Sequence, residues 1–187
     1  SYFESTPELN SFMGGVVGGG YGKVLNCYTN ATMYSTGIFV GGIIGRSTGF
    51  VVDGCWFDGQ MTVDYTGSNS MYVGGIMGHG ATNGSTITNC LVTGTMDLSF
   101  TCTTPTQGNW RARVGSICGG DDNKVFTITD CIAAGKLNLT WKHNDGSTAP
   151  KTMEKMQDAI GYKQNANSSD TERVYLLMDS KILVEDS

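Results

Sequence analysis

The chain has 187 residues, 27 of them glycine and only 3 proline, with 39% hydrophobic residues, 16% charged residues and a formal net charge of -5. That length suits one domain with a real core, and this hydrophobic content at modest charge excludes a disordered chain. The acidic balance, with a sequence pI of about 4.8 and no basic run, argues against nucleic-acid binding, and no apolar run reaches the roughly 18 residues that a membrane-crossing helix needs.

In chain order the sequence repeats itself. The first copy opens on Gly14-Gly15-Val16-Val17-Gly18, reaches Asn26-Cys27, passes a small residue at Ala31 and arrives at Met33. The second runs through Gly41-Gly42-Ile43-Ile44-Gly45, Gly54-Cys55, Gly59 and Met61, and the third through Gly74-Gly75-Ile76-Met77-Gly78, Asn89-Cys90, Gly94 and Met96. The fourth has Gly115-Ser116-Ile117-Cys118-Gly119, Asp130-Cys131, Gly135 and Leu137. A worn fifth copy, without the cysteine, extends from Ala159-Ile160-Gly161 to Leu176, Ser180 and Ile182. The last landmark lies six residues past each cysteine, while the glycines Gly18, Gly45, Gly78, Gly119 and Gly161 are 27, 33, 41 and 42 residues apart. Fixed landmarks with lengthening connections are how stacked repeats vary.

The segments Met61-Thr62-Val63-Asp64-Tyr65, Met96-Asp97-Leu98-Ser99-Phe100 and Leu137-Asn138-Leu139-Thr140-Trp141 alternate apolar and polar residues, the period of a half-buried strand. Tyr65, Phe100 and Trp141 then stack. Parallel, in-register strands about 4.8 Å apart predict an all-β parallel β-helix, or β-solenoid, in a rod on the order of 20 Å long. Its four to five Gly-rich coils span approximately 12–37, 38–71, 72–111, 112–156 and 157–187, as a single domain. The small residues at Ala31, Gly59, Gly94 and Gly135 mark a bend unsuited to a side chain or to negative φ. Met153, Met156 and Ile160 fall at helical spacing, so Lys151 to Ile160 reads as a short helix capping the end of the rod. The start at Ser1, with nothing like a signal segment, reads as a piece of a larger protein.

The glycine-flanked apolar pair, the Asn-Cys landmark and the small-residue bend together resemble the GLUG repeat, over roughly Phe12 to Leu139. Ser116 in place of the second glycine and Gly54 in place of the asparagine depart from it. That repeat occurs in large bacterial surface proteins, including IgA-specific peptidases and adhesin-like proteins. The resemblance implies an extracellular, cell-surface location and a non-catalytic module, with no catalytic residues to carry over.

Four of the six cysteines, Cys27, Cys55, Cys90 and Cys131, share one place in the repeat and read as a structural column of buried free thiols. Cys102 and Cys118 fall outside it, and a disulfide between them is an open alternative. With no C-x-x-C pair and only His79 and His143, structural zinc is not expected. Asp121 and Asp122, in Gly119-Gly120-Asp121-Asp122-Asn123, are a weak calcium candidate that reads better as a polar turn. The acidic residues Asp53, Asp58, Asp64, Asp97, Asp121, Asp122 and Asp130 are scattered over different columns, so neither paired-carboxylate catalysis nor a cofactor is expected.

Binding is the remaining class. Alternation from the inward cysteines sends Tyr28 and Trp56 outward on adjacent coils, a flat platform for sugar rings or a partner, although the apolar Leu91 and Ile132 at the same place also fit a stripe that another segment covers. Two long connections, Thr101 to Arg113 and Lys142 to Asp158, bring Trp110, Arg111, Arg113, Lys142 and His143, next to Trp141, to one corner. The expected partners are a glycan or a host surface protein, with a stalk or fibre subunit as the second reading and a polysaccharide-degrading enzyme as the third.

Overall fold

A computed structural model describes residues 2–5, 11–81, 84–103, 112–121, 126–143, 158–162 and 169–186. The described chain is all-β, without a helix, and every strand pair in it is parallel. With strands numbered in chain order, the first sheet is six-stranded, in the order β1 (Tyr2–Ser5), β5 (Thr32–Ser35), β9 (Gln60–Gly67), β14 (Thr95–Cys102), β18 (Lys136–His143), β21 (Asp179–Asp186). The second is four-stranded: β15 (Ala112–Gly115), β10 (Met71–Gly74), β6 (Phe39–Gly41), β2 (Phe12–Gly14). The third runs β19 (Ile160–Tyr162), β16 (Cys118–Asp121), β11 (Met77–Gly80), β7 (Ile44–Asp53), β12 (Ser85–Thr88), β17 (Phe126–Ala133), β13 (Leu91–Val92), β8 (Trp56–Phe57), β4 (Tyr28–Thr29). In that sheet β3 (Val17–Leu25) lies beside β7 and β20 (Ser169–Leu176) beside β17.

Register turns the sequence landmarks into columns. In the first sheet Met33 pairs with Met61, Met61 with Met96, Met96 with Leu137 and Leu137 with Ser180. Alternation puts Met61, Val63 and Tyr65 inside and leaves Asp64 exposed. The expected aromatic stack forms: Tyr65 and Phe100 lie 5.8 Å apart at 18°, and Phe100 meets Trp141 edge-on at 4.9 Å. In the second sheet Val40, Val73 and Val114 align, and in the third Ile44, Met77, Cys118 and Ile160, all fully or almost fully buried. Each such side chain contributes about 1.5–3 kcal/mol when removed from water.

The turn between second and third sheets explains the paired glycines. Its backbone bonds one repeat to the next, Gly15 N–H to Gly42 O (3.1 Å) and Ile43 N–H to Ile76 O (3.0 Å). A Cβ on Gly42 would lie 2.1 Å from Gly75 O and 2.4 Å from the Phe57 ring, so only glycine permits the approach. In the fourth copy Ser116 takes this place, and its hydroxyl donates to Asp158 O at 2.8 Å.

The corner before each cysteine has a common cause as well. Asn26, Asn89 and Asp130 have φ of 52–54°, Gly54 has 64°, and Arg173 takes the equivalent place with 52°. Left-handed backbone is the conformation that glycine tolerates best and that asparagine and aspartate tolerate better than most residues. Gly54 therefore substitutes for Asn without changing the path.

Two expectations need correction. The bend glycines Gly59, Gly94 and Gly135 are not held at positive φ; crowding requires them, since a Cβ on Gly94 would sit 2.5 Å from Gly59 O. Of the helix expected over Lys151 to Ile160, residues 151–157 lie outside the described part, and Ile160 opens the strand β19 instead.

Candidate functional site

The outer face of the short strands β4, β8 and β13 and of the end of β17 carries one column, Tyr28, Trp56, Leu91 and Ile132, which Tyr175 on β20 continues. Tyr28 is 52% exposed and Trp56 39%, and Ile132 and Tyr175 are exposed too. The stripe is therefore open over most of its length. The rings of Tyr28 and Trp56 lie 4.8 Å apart but at 55°, so the expected flat platform is instead an angled pair.

A polar relay holds the tryptophan in place. Its indole Nε1–H donates to Thr93 Oγ1 at 2.7 Å, and Thr93 Oγ1 donates to Asp58 Oδ1 at 2.6 Å. With the one polar group of the indole engaged, the ring faces are what Trp56 offers. Thr93 and Asp58 belong to the candidate site, Thr93 unnamed and Asp58 weighed only as a scattered carboxylate in the sequence reading, although the signal was present: both lie two residues beyond the outward column position, and period two brings them back to the same face. Tyr175 was missed because the fifth copy has no cysteine from which to count.

Of the other predicted binding residues, those that are described do not join this pair. Trp141 is 1% exposed beneath Phe100, so it is a core residue and leaves the candidate ligand set. Arg113 lies on the second sheet, with its guanidinium 4.6 Å from the Tyr72 ring centre and an Nη1–H donated to the Tyr72 hydroxyl. Lys142 is half-buried on β18, and the backbone of His143 ends that strand while its side chain is outside the described part. Trp110 and Arg111 lie outside the described residues, as do 104–110 and 144–157 of the two long connections.

Of the carboxylates, Asp64 and Asp97 line one cleft with Asn138 on the first sheet, and several are engaged. Asp53 Oδ1 accepts from Asn89 Nδ2 (2.7 Å) and Thr88 Oγ1 (2.8 Å), and these donors hold its carboxyl below the ordinary range. Asp130 is held down by Arg173, whose Nη2 donates to Oδ2 at 2.8 Å. Asp97 Oδ1 accepts from Asn138 Nδ2 at 2.6 Å. Asp121 is 1% exposed at the end of β16, and its calcium partner Asp122 lies outside the described residues. Among the described residues no three His, Cys, Asp or Glu side chains converge as a metal site.

Cys55, Cys90 and Cys131 are buried free thiols and Cys27 is half-buried. Cys118 is a buried free thiol in β16, so the alternative of a Cys102–Cys118 disulfide does not hold. Burial pushes the Cys118 thiol up to about 12. Within the column the neighbouring Cys90 thiol lowers Cys55, while Cys90, between Cys131 and Cys55, is pushed up. Comparison with protein-family models, curated proteins and solved structures finds no match for the chain.

Proposed function

We propose that the chain is a non-catalytic binding module of an extracellular bacterial surface protein, a parallel β-helix of GLUG-like repeats that holds glycan rings against Tyr28 and Trp56. Repeat-to-repeat parallel register in all three sheets supports the β-helix reading. The observation that carries the binding reading is the exposed Tyr28–Trp56 pair with its indole N–H fixed by Thr93. Exposed aromatic faces remove apolar C–H surface of a sugar from water, and a ring already fixed loses little freedom on binding.

A glycan array with the native chain, Trp56→Ala and Thr93→Val tests it. Binding by the native chain, abolished in Trp56→Ala and weakened in Thr93→Val, is the expected result. Equal binding by native chain and Trp56→Ala sinks the aromatic-pair reading, and release of unsaturated sugars from an acidic polysaccharide sinks the non-catalytic one.

A stalk or fibre role is the second reading, and one observation favours it. Among the described residues, apart from Val51, Trp56 and Ile132, the exposed large hydrophobic residues lie in or beside the outermost strands: Tyr2, Phe12, Val16, Tyr21, Leu25 and Tyr28 at one end, Tyr175, Leu176, Leu177 and Leu183 at the other. Open strand edges with apolar side chains are surfaces on which further repeats stack.

A further inference from the structure

The column of Cys27, Cys55, Cys90 and Cys131 is held at sheet spacing by its backbone: Trp56 N–H donates to Cys27 O at 2.8 Å, Leu91 N–H to Cys55 O at 2.9 Å and Ile132 N–H to Cys90 O at 2.9 Å. All four are free and occupy the same place on successive levels, and the Cys131 sulfur accepts from the Cys90 backbone N–H at 3.4 Å. Each S–H has a backbone carbonyl to donate to, Leu25 O for Cys27 at 3.4 Å, Val24 O for Cys55 at 3.4 Å, Thr88 O for Cys90 at 3.1 Å and Thr129 O for Cys131 at 3.2 Å. Packing alone asks for a small apolar side chain here, as Val174 supplies at the fifth level, where it pairs with Cys131.

Spacing decides which chemistry such a column suits. A disulfide wants Cβ atoms about 3.8 Å apart, whereas stacked strands lie about 4.8 Å apart, so closing one means drawing bonded strands together by about 1 Å. A metal ion between two sulfurs at about 2.3 Å from each spans about 4.6 Å, close to the strand spacing. Zinc needs four converging ligands, and no three converge among the described residues. Two stacked sulfurs suit a soft monovalent ion that accepts two ligands in line, such as Cu(I) or Ag(I).

We infer that the cysteine column is a binding site for soft monovalent d10 metal ions, each lying between two successive sulfurs, as Cys27–Cys55 and Cys90–Cys131. The exchange is balanced and neutral: the ion displaces the proton of one of the two thiols, one S–H bond breaks, one S–metal bond forms, and the second sulfur donates a lone pair while keeping its own proton. No net charge enters the buried column, and one proton leaves per ion. Entry is from the Cys27 end, where the thiol is half-buried.

The test is an anaerobic titration of the reduced full chain with Ag(I), and with Cu(I) against a chromophoric chelator, reading ions retained, protons released and the thermal midpoint. The expected result is two ions retained and one proton released per ion, with a raised midpoint. Cys55→Ala and Cys90→Ala should each retain one ion and the double variant none, while Cys118→Ala retains two. Cys55→Val and Cys90→Val repeat the count if an alanine variant does not fold. Retention unchanged in the double variant, uptake only with loss of folded structure, or rapid formation of a disulfide within the column by a mild disulfide reagent would each overturn the assignment.

Discussion

At the scale of single residues, the left-handed corner accounts for a choice that looked arbitrary. Asn26, Gly54, Asn89 and Asp130 share a backbone conformation rather than a chemical task. Asn89→Ala is expected to lower stability by about 1–2 kcal/mol, the cost of left-handed backbone for an ordinary residue, and Asn89→Gly by clearly less; denaturant midpoints measure the difference. Asp53 beside it sets a pH dependence. Its carboxyl is held below the usual value, chiefly by Asn89 and then Thr88, so the stability it contributes is present above about pH 3.9 and is lost as pH falls through its lower folded value. Asp53→Asn should therefore lose less stability than the native chain between pH 5 and pH 2. The corner residues were legible in the sequence as a landmark, but their reason was not, because φ leaves no periodic trace. Trp141 shows the converse. The same alternation that placed it under Phe100 should have removed it from the binding set, and proximity to the polar loop outweighed that in the reading.

At the scale of elements, period two was sufficient for the first sheet. Every inward position expected from Met61, Met96 and Leu137 is buried there, and Phe100→Ala, which empties the middle of the Tyr65–Phe100–Trp141 stack, should cost about 3–5 kcal/mol by calorimetry. Thr62→Ala on the outer face of the same strand should change the midpoint little. The turn between second and third sheets was visible only as a glycine pattern, since what it does depends on a neighbouring repeat. Gly42→Ala places a methyl group against Gly75 O and Phe57, so it should destabilise by at least the ~1–3 kcal/mol typical of overpacking and leave less folded protein on expression. The helix expected near Ile160 shows the limit of spacing arguments: three apolar residues three or four apart fit a helix, but pairing of Ile160 with Cys118 prevails where it is described.

For the whole molecule, the three sheets advance together, and the differing sequence spacing between copies, 27 to 42 residues, is taken up outside the paired positions, partly as a register shift between Gly20 and Gly22 where β3 meets β7. Both outer edges carry exposed apolar side chains beside unpaired strand edges, and the chain is expected to associate with rising concentration. Tyr175→Lys with Leu183→Lys should reduce that association in light scattering without changing far-ultraviolet circular dichroism; no reduction would mean that this end is not the sticky surface. The in-register pairing of Trp56 with Leu91 has another consequence. Along the stacking direction the molecule has nearly the translational symmetry of a one-dimensional crystal, in which removing one complete period leaves every remaining lattice contact equivalent. Joining Cys55 directly to Leu91 takes out one such period, residues 56–90. The shortened chain should still unfold in one cooperative step while losing Trp56 and, with it, the aromatic pair, so that length and recognition become separable properties of a single architecture.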